Sequence, residues 1–409
     1  MTVRRVLVTG MGIVSCIGND LGTVLRALRE GRSGIAAAPE FIEAGLGSQI
    51  AGIPSLDSLP PVKRPLRRFM PEPSLYAYHA ASAAFADAGW SEAEITSERT
   101  ALVVGSGVST TFEIAEAIAL ARAQGARQVP PYVVPRIMGS TTSANLATAF
   151  KIQGASYSIV SACATSAHCI GHGAELIQMG KADRVIVGGA EEARWTSAVL
   201  FDAMGALSTG FNDRPTKAAR PYDKRRDGFV LSGGAGILVL EAEETAKMRG
   251  AKVRGELAGY GASSDGSDMV TPKAEGIARA MRAALREADV SIDYINTHGT
   301  STVAGDLMEL DAIREVFREK LPAISSTKGL TGHAIGASGA HEAIYCLLML
   351  EHGFIAACAN LEEPDPAIRG LPIVDKMRAA SLNAVMSNSL GFGGTNASLV
   401  FRRWQGKPG

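Results

Sequence analysis

The sequence lacks an excess of charge of either sign. Lys and Arg together number 41, and so do Asp and Glu, which leaves a formal net charge of zero at pH 7. A chain without a strongly basic balance has no global electrostatic attraction for nucleic acid or for an anionic membrane surface. Any charged partner must therefore be recognised by a local patch of side chains.

Cysteine is scarce, with five residues in 409, and no two of them form the Cys-x-x-Cys pair typical of zinc sites. Their odd number and wide spacing favour reduced thiols, which are typical of the cytoplasm. The five are Cys16, Cys163, Cys169, Cys346 and Cys358. We interpret all except Cys163 as small buried residues.

Long hydrophobic runs are also missing. The longest continuous apolar run, AIYCLLML at residues 343–350, is far too short to cross a bilayer. The N-terminal segment MTVRRVLVTGMGIVSCIG resembles an export signal superficially, but glycines interrupt it and no Ala-x-Ala cleavage site follows closely. The sequence therefore predicts a soluble protein whose first element is a β-strand.

Glycine, in contrast, is abundant at 45 residues, and many glycines end short runs of Val, Ile and Leu, as in TALVVGSG and DRVIVGGAEE. Between several of these runs lie segments with Ala and Leu at the i, i+3 and i+4 spacing of helices. This alternation predicts an α/β fold, and the nearly continuous apolar strands indicate sheets that are covered on both faces.

Two faint internal similarities suggest a duplication. Gly10 and Gly12 in VLVTGMGIVS stand where Gly259 and Gly261 stand in GELAGYGASS. A constant offset also relates two helical segments, matching Ala167, His168 and Gly180 to Ala340, His341 and Gly353. We therefore predict two similar halves, residues 1–250 and 251–409, joined near residues 245–255 and packed as one body.

The segment YSIVSACATSAHCIG at residues 157–171 places Cys163 at the junction between a strand and a helix. Unpaired backbone N–H groups and the helix dipole at such a junction favour the thiolate form of cysteine. The junction thus indicates a nucleophile, and the alternative is an ordinary small buried residue.

Two histidines occupy similar loops between a strand and a helix. In DYINTHGTSTVAGDLMELDAI, a loop from His298 to Gly305 precedes a helix that Asp306 and Glu309 could begin as a capping box. In SSTKGLTGHAIGASGAHEA, His333 follows Lys328 in a second loop rich in Gly and Thr. Such loops let the backbone approach a ligand closely, so the histidines are either catalytic or simply solvated.

Two further patterns are weak. His168 and His172 have the i, i+4 spacing of zinc ligands, but no third ligand is evident, so packing is preferred to metal binding. Gly10-x-Gly12 after the first strand is part of a dinucleotide-binding pattern, but Ser15 stands at the third glycine position.

The segment SNSLGFGGTNASLVF at residues 387–401 has the pattern of a strand, a turn and a strand. Gly391, Gly393 and Gly394 surround Phe392 and would free backbone N–H groups to bind a developing oxyanion. The alternative is a hairpin turn without a ligand.

Together, SACATSAHCIG, HGTST, STKGLTGHAIGASG and NSLGFGGTN resemble the motifs of the β-ketoacyl-acyl carrier protein synthases, in the same order and across essentially the whole chain. FDAMGALSTGFND and PYDKRRDGFVLSGGAG are more similar to the synthase I branch than to synthase II. The resemblance implies the thiolase-like duplicated fold with five αβαβα layers, and decarboxylative condensation of malonyl and acyl thioesters. It also implies a cytoplasmic homodimer that takes acyl carrier protein as its partner and needs no bound cofactor or metal.

The resemblance implies a role for each candidate residue. Cys163 would carry the acyl group, and His298 and His333, both neutral, would bind the enolate oxygen. The backbone N–H groups of Cys163 and Phe392 would hold the tetrahedral oxyanion. Lys328 would act electrostatically, paired with Glu309, and Asp306 would support the site. Substrate-binding positions implied in the same way are Thr300, Thr302, Met138, Phe201 and Met204.

A cluster of basic residues is a candidate docking patch for an acidic carrier protein, although an ordinary solvated cluster is an equal alternative. Its residues are Lys63, Arg64, Arg67 and Arg68, with Arg127 as a possible addition.

Several other functions stay open at this point. A synthase II or a polyketide ketosynthase would have the same fold. A non-catalytic ketosynthase partner is a third alternative, but such partners typically lack the nucleophile that Cys163 supplies. The interpretation as an NAD-dependent dehydrogenase is supported by Gly10-x-Gly12 alone.

Overall fold

The computed structural model describes residues 3–406, so the first two residues of the N-terminal segment lie outside the described residues. The strands of this part of the chain are β1 (Val6–Ser15), β2 (Ala36–Ala37), β3 (Ile50–Ala51), β4 (Thr100–Gly105), β5 (Ser156–Tyr157), β6 (Arg184–Glu191), β7 (Gly234–Ala242), β8 (Gly255–Ser264), β9 (Tyr294–Asn296), β10 (Ala323–Ser325), β11 (Phe354–Ile355), β12 (Arg378–Ala379), β13 (Ala384–Gly391) and β14 (Thr395–Arg402).

The α-helices between them vary from one turn to more than four turns. They are α1 (Leu21–Glu30), α2 (Pro39–Glu43), α3 (Arg64–Arg67), α4 (Glu72–Ala88), α5 (Glu92–Thr96), α6 (Thr111–Gln124), α7 (Val133–Ile137), α8 (Thr141–Phe150), α9 (Thr165–Gln178), α10 (Trp195–Ala203), α11 (Glu243–Met248), α12 (Ala274–Ala288), α13 (Val303–Phe317), α14 (Lys328–Thr331) and α15 (Ser338–His352).

Ten strands pair in the order β10-β9-β13-β14-β8-β1-β7-β6-β4-β5. The first half contributes β5, β4 and β6 as parallel neighbours, followed by β7 and β1 in antiparallel pairing. The second half repeats this arrangement with β10, β9 and β13, followed by β14 and β8. The two halves meet where β1 pairs with β8 over three residues of each strand.

The helices cover this sheet as layers. Helices α4 and α8 pack on the outer face of the first half, and α12 with α13 on the outer face of the second. Helices α9 and α15 contact each other and strands of both halves, so they form the central layer. The fold is the predicted thiolase-like α/β architecture, and its core is continuous through the central layer.

Gly10 and Gly12 lie within β1 and not in a turn. A Cβ atom on Gly12 would overlap the carbonyl oxygen of Ala80, because helix α4 crosses the strand at this point. Gly261 has the same relation to Ala280 on α12. The glycines therefore allow a helix to pack closely on a strand in both halves. The dinucleotide-binding alternative is not supported, because it requires these glycines to lie in a turn after the strand.

The matched helical segments also agree in detail. Helices α9 and α15 are each preceded by a single 3-10 turn and followed by a left-handed glycine, Gly180 or Gly353. Both turns contain a residue with positive φ, 49° at Ala162 and 41° at Ile335. The boundary of the two halves near residue 250 stays a prediction.

No helix in residues 3–406 combines the length and apolar character needed to span a membrane.

Candidate active site

Cys163 lies in the 3-10 turn Ala162–Ala164, directly before α9. Ala162 takes a left-handed conformation that is unfavourable for a residue with a side chain. Two glycines allow neighbouring segments to pack directly against this turn. A Cβ atom on Gly391 would lie 2.8 Å from the carbonyl oxygen of Ser161, and one on Gly107 would lie 2.8 Å from that of Ala162. The predicted helix start is confirmed, with a sharp turn before it, but strand β5 ends at Tyr157 and an irregular segment, residues 158–161, separates it from the turn.

Burial raises the pKa of the Cys163 thiol to about 12, and the carboxylate of Glu191 acts in the same direction. The charge of Lys328 and the backbone N–H groups of Phe392 and Cys163 act against this rise. Burial thus opposes the stabilisation of the thiolate that the start of the helix provides. The thiol must transfer its proton to a base as it reacts.

His298 lies in the loop after β9, and this loop is held by a buried carboxylate. Glu309 accepts hydrogen bonds from the backbone N–H groups of His298 at 2.9 Å and Gly299 at 3.0 Å. Asn388 donates its side-chain amide to the same carboxylate at 3.1 Å. Burial raises the pKa of Glu309 to about 7 in spite of these donors.

The predicted capping box of Asp306 and Glu309 is wrong. Helix α13 begins at Val303, and the side chain of the preceding residue, Thr302, makes no capping hydrogen bond. Asp306 instead accepts hydrogen bonds from the backbone N–H groups of Ser301 and Tyr222, both at 3.0 Å, and burial raises its pKa to about 6. Both carboxylates thus accept hydrogen bonds from backbone N–H groups of neighbouring loops, and they do not cap helix α13.

His333 lies in the loop before α15, and its Nδ1 atom is 3.0 Å from the hydroxyl of Ser338. Its Nε2 atom is buried without a hydrogen-bond partner. The rings of His298 and His333 are perpendicular, with centroids 5.0 Å apart. Burial and then the charge of Lys328 lower the pKa of both rings well below its ordinary value, so both are neutral at pH 7, as predicted.

Lys328 is buried and forms its ion pair with Glu342, which lies on the first turns of α15. Burial raises the pKa of Glu342 to about 7, and Lys328 opposes this rise. The predicted pairing of Lys328 with Glu309 is therefore wrong. Glu342 could have been suspected from the sequence, because a lone acid within the small and apolar residues of GASGAHEAIYC needs a buried partner.

The sulfur of Cys163 and ring nitrogens of His298 and His333 all lie within 4.8 Å of one another. Within residues 3–406 this is the one group of His, Cys and acidic residues close enough to hold a metal ion. The same three residues line a cavity of about 400 Å³, which makes them equally suited to act on an organic substrate.

The cavity is bounded by residues from both halves. Thr300 and Thr302 line it, with their hydroxyls 3.1 Å apart, and Phe392 lies at its rim, more than one-third exposed. Phe201 and Met204 of the helix α10 region line it as predicted. Met138 does not: it follows α7, is 37% exposed and lies outside the cavity lining of this chain.

The histidines of α9 have other partners. His168 is hydrogen-bonded to the hydroxyls of Tyr260 at 2.7 Å and Thr395 at 3.0 Å. His172 lies 2.9 Å from the hydroxyl of Tyr157 and 3.1 Å from Glu175. Both rings have a partner at each nitrogen, which agrees with the preferred interpretation as packing residues.

Two family models match the chain. The model described as Beta-ketoacyl synthase, N-terminal domain, matches residues 3–246, and the one described as Beta-ketoacyl synthase, C-terminal domain, matches residues 254–362. These matches lie in both halves of the fold and include all the candidate residues except Phe392.

Proteins of known function are similar over nearly the full length. The chain is 53% identical over 402 residues to 3-oxoacyl-[acyl-carrier-protein] synthase 1 of Escherichia coli (strain K12), which covers 98% of this chain and 99% of that protein. It is 51% identical over 405 residues to the protein of the same name from Haemophilus influenzae, at 98% and 100% coverage. A β-ketoacyl synthase structure from Burkholderia phymatum STM815 superposes with a TM-score of 0.92 at 36% identity, covering 98% of this chain and all of that one.

Proposed function

The chain belongs to the β-ketoacyl synthase family, and we propose that it elongates fatty acyl chains by two carbons, with Cys163, His298 and His333 as its catalytic residues. The observation that carries this assignment of roles is the grouping of one thiol and two neutral imidazoles within 4.8 Å at the wall of a cavity.

In the first step, the sulfur of Cys163 attacks the thioester carbonyl of an acyl group on acyl carrier protein. The new thioester forms on Cys163, and the carrier leaves as a free thiol. Because the pKa of the Cys163 thiol is about 12, a base must accept its proton, and the unpartnered Nε2 atom of His333 is suited to this when the ring carries its own proton on Nδ1. His333 then passes the accepted proton to the sulfur of the departing carrier and is neutral again. The backbone N–H groups of Cys163 and Phe392 stabilise the oxyanion of the tetrahedral intermediate.

In the second step, a malonyl thioester on the carrier loses carbon dioxide and becomes an enolate. His298 and His333 donate hydrogen bonds to its oxygen, which requires the proton on the ring nitrogen that faces the cavity. For His333 this is the other neutral tautomer, in which Nδ1 accepts a hydrogen bond from the Ser338 hydroxyl; because a hydroxyl can donate or accept, Ser338 can partner Nδ1 in both steps. Neutral rings are needed in both roles, and burial keeps them neutral.

In the third step, the enolate carbon attacks the thioester on Cys163. The carbon–carbon bond forms, the carbon–sulfur bond breaks, and Cys163 takes up a proton to regenerate the thiol. Lys328 keeps the histidines neutral through its charge, while Glu309 and Asp306 hold the loop of His298. No bound cofactor is needed, since the phosphopantetheine arm arrives on the carrier.

The substrate is bound along the cavity. Thr300 and Thr302 offer hydroxyls to the phosphopantetheine arm, and Phe201 and Met204 receive the acyl chain. The basic cluster at Lys63, Arg64, Arg67 and Arg68 is exposed and docks the carrier protein.

We also propose a cytoplasmic homodimer. Strand β5 is the exposed edge of the sheet in the described part of the chain, and Val160 beside it is 55% exposed. An unpaired edge of this kind can pair with a second copy.

The five cysteines are all free thiols, which suits a reducing compartment.

The assignment is tested by incubating the enzyme with acyl carrier protein charged with a short acyl chain. Mass spectrometry should locate one acyl group on Cys163, and this group should disappear in Cys163→Ser. Acylation that persists in the variant would contradict the role of Cys163. In a separate assay, His298→Ala should lose malonyl decarboxylation, and an unchanged rate would contradict the enolate role.

A further inference from the structure

Glu191 is a fully buried acid that the reaction steps above do not use. It is the last residue of β6, is 1% exposed and does not line the cavity. Its carboxylate accepts hydrogen bonds from the Ser106 hydroxyl at 2.7 Å and from the backbone N–H groups of Gly107 at 2.6 Å and Gly336 at 3.0 Å. Val108 donates a further N–H at 3.2 Å.

These donors come from two segments that each touch the active site. Gly336 belongs to the turn that follows His333. Gly107 lies against the turn of Cys163, because a Cβ atom at Gly107 would lie 2.8 Å from the carbonyl oxygen of Ala162. A side chain at Gly336 would overlap the backbone nitrogen of Gly107, so the two glycine segments approach each other closely beside the carboxylate. One carboxylate thus joins the nucleophile side of the site to the histidine side.

The duplicated fold contains a counterpart of this arrangement. Strands β4 and β9 hold equivalent positions in the two halves, and a buried carboxylate accepts two consecutive N–H groups from the loop after each strand. After β9 the acceptor is Glu309, which holds His298 and Gly299. After β4 the acceptor is Glu191, which holds Gly107 and Val108.

We propose that Glu191 is a positioning residue for condensation, which holds the turn of Cys163 and the turn of His333 at the separation that the reaction requires. This inference rests on the proposed roles of Cys163 and His333. Without the carboxylate, three backbone N–H groups lose their buried acceptor, and the two turns separate. A displacement of about 1 Å between reacting groups lowers rates about 100-fold.

The neighbouring Glu192 provides a matched control. It is also an acid, is 2% exposed and accepts hydrogen bonds from the Thr111 hydroxyl at 2.8 Å and the Phe112 N–H at 3.2 Å. Burial raises the pKa of both acids to about 7. Glu192, however, holds only the start of α6, with no bond to the turn of His333.

The experiment measures kcat and KM for condensation with malonyl-acyl carrier protein in Glu191→Ala, Glu191→Gln and Glu192→Ala. We expect kcat to fall about 100-fold in Glu191→Ala and about 10-fold in Glu191→Gln, which keeps one carbonyl oxygen. The KM should stay within about twofold, because Thr300 and Thr302 lie on another loop. Glu192→Ala should lose less than about threefold in kcat.

A second measurement separates positioning from general damage. The Glu191 carboxylate disfavours the thiolate of Cys163, so alkylation of Cys163 by iodoacetamide should become faster in Glu191→Gln while condensation becomes slower. Circular dichroism identifies variants that fail to fold. If Glu191→Ala fails to fold, the comparison between Glu191→Gln and the wild type provides the test. A folded Glu191→Gln enzyme with the wild-type kcat, or an equal loss in Glu192→Ala, would overturn the proposal. Failure of the proposed function itself would appear separately, as wild-type enzyme that is not acylated on Cys163.

Discussion

The ammonium group of Lys328 pairs with the carboxylate of Glu342, and both side chains are only 2% exposed. Neither residue lines the cavity. The positive charge still reaches the site, because it acts to lower the pKa of His298, His333 and Cys163. The pair is therefore a buried source of positive potential behind the reacting groups.

The first prediction concerns the stability of this pair. Glu342→Leu leaves the Lys328 ammonium buried without a partner and should lower the free energy of unfolding by about 3–5 kcal/mol. The double variant Lys328→Met/Glu342→Leu removes both charges and should recover most of that loss, because apolar residues can replace a buried pair. Urea unfolding of the single and double variants measures both values. A double variant no more stable than Glu342→Leu would contradict the pairing.

The second prediction concerns pH. Acyl transfer to Cys163 requires neutral His333, and burial and Lys328 lower the pKa of this ring well below 6.5. The rate of acylation should therefore hold as the pH falls through 6.5 and decline only under more acidic conditions. In the double variant Lys328→Met/Glu342→Leu the histidine pKa rises, so the acid decline should move to higher pH. Acylation rates measured by mass spectrometry across the pH range test this, and an unmoved acid decline would contradict the electrostatic role of Lys328.

The sequence predicted the elements that depend on local patterns. The helix start beside Cys163, the loops of His298 and His333 and the paired glycines of β1 and β8 all follow from short segments that can be recognised one at a time. Their convergence followed from the resemblance to a known family, and the cavity contains the three residues as expected.

The errors share a physical cause, which is that burial and tertiary contacts outweighed local signals. Asp306 and Glu309 have the spacing of a capping box, but both carboxylates accept hydrogen bonds from backbone N–H groups of neighbouring loops. The partner of Lys328 depends on which buried acid the fold brings beside it, and no local pattern connects Lys328 to Glu342.

The third prediction tests the duplicated packing of helix on strand. Gly12→Ala and Gly261→Ala each introduce a methyl group that would overlap a helix carbonyl, Ala80 in one half and Ala280 in the other. Each should lower the free energy of unfolding by about 1–3 kcal/mol or more, by overpacking. Gly139→Ala is the control, since a Cβ atom at Gly139 would have no neighbouring atom within 4 Å, and it should change stability by less than about 0.5 kcal/mol. Thermal unfolding compares the three, and a harmless Gly261→Ala would contradict the equivalence of the halves.

The fourth prediction concerns docking of the carrier protein. Lys63 and Arg64 are exposed at the start of α3, and neither is paired with an acid in the described part of the chain. Lys63→Glu/Arg64→Glu should raise the KM for acyl-acyl carrier protein about 10-fold, because it replaces attraction to an acidic partner with repulsion. The kcat should be retained, and the KM for an acyl-pantetheine thioester without the carrier should not change. Lys320→Glu reverses an exposed charge in the second half and serves as the control. Added salt should weaken the difference between the wild type and the patch variant, since exposed charges are screened. An equal rise in KM for the carrier-free thioester would place the effect in the cavity and would contradict a docking role for this patch.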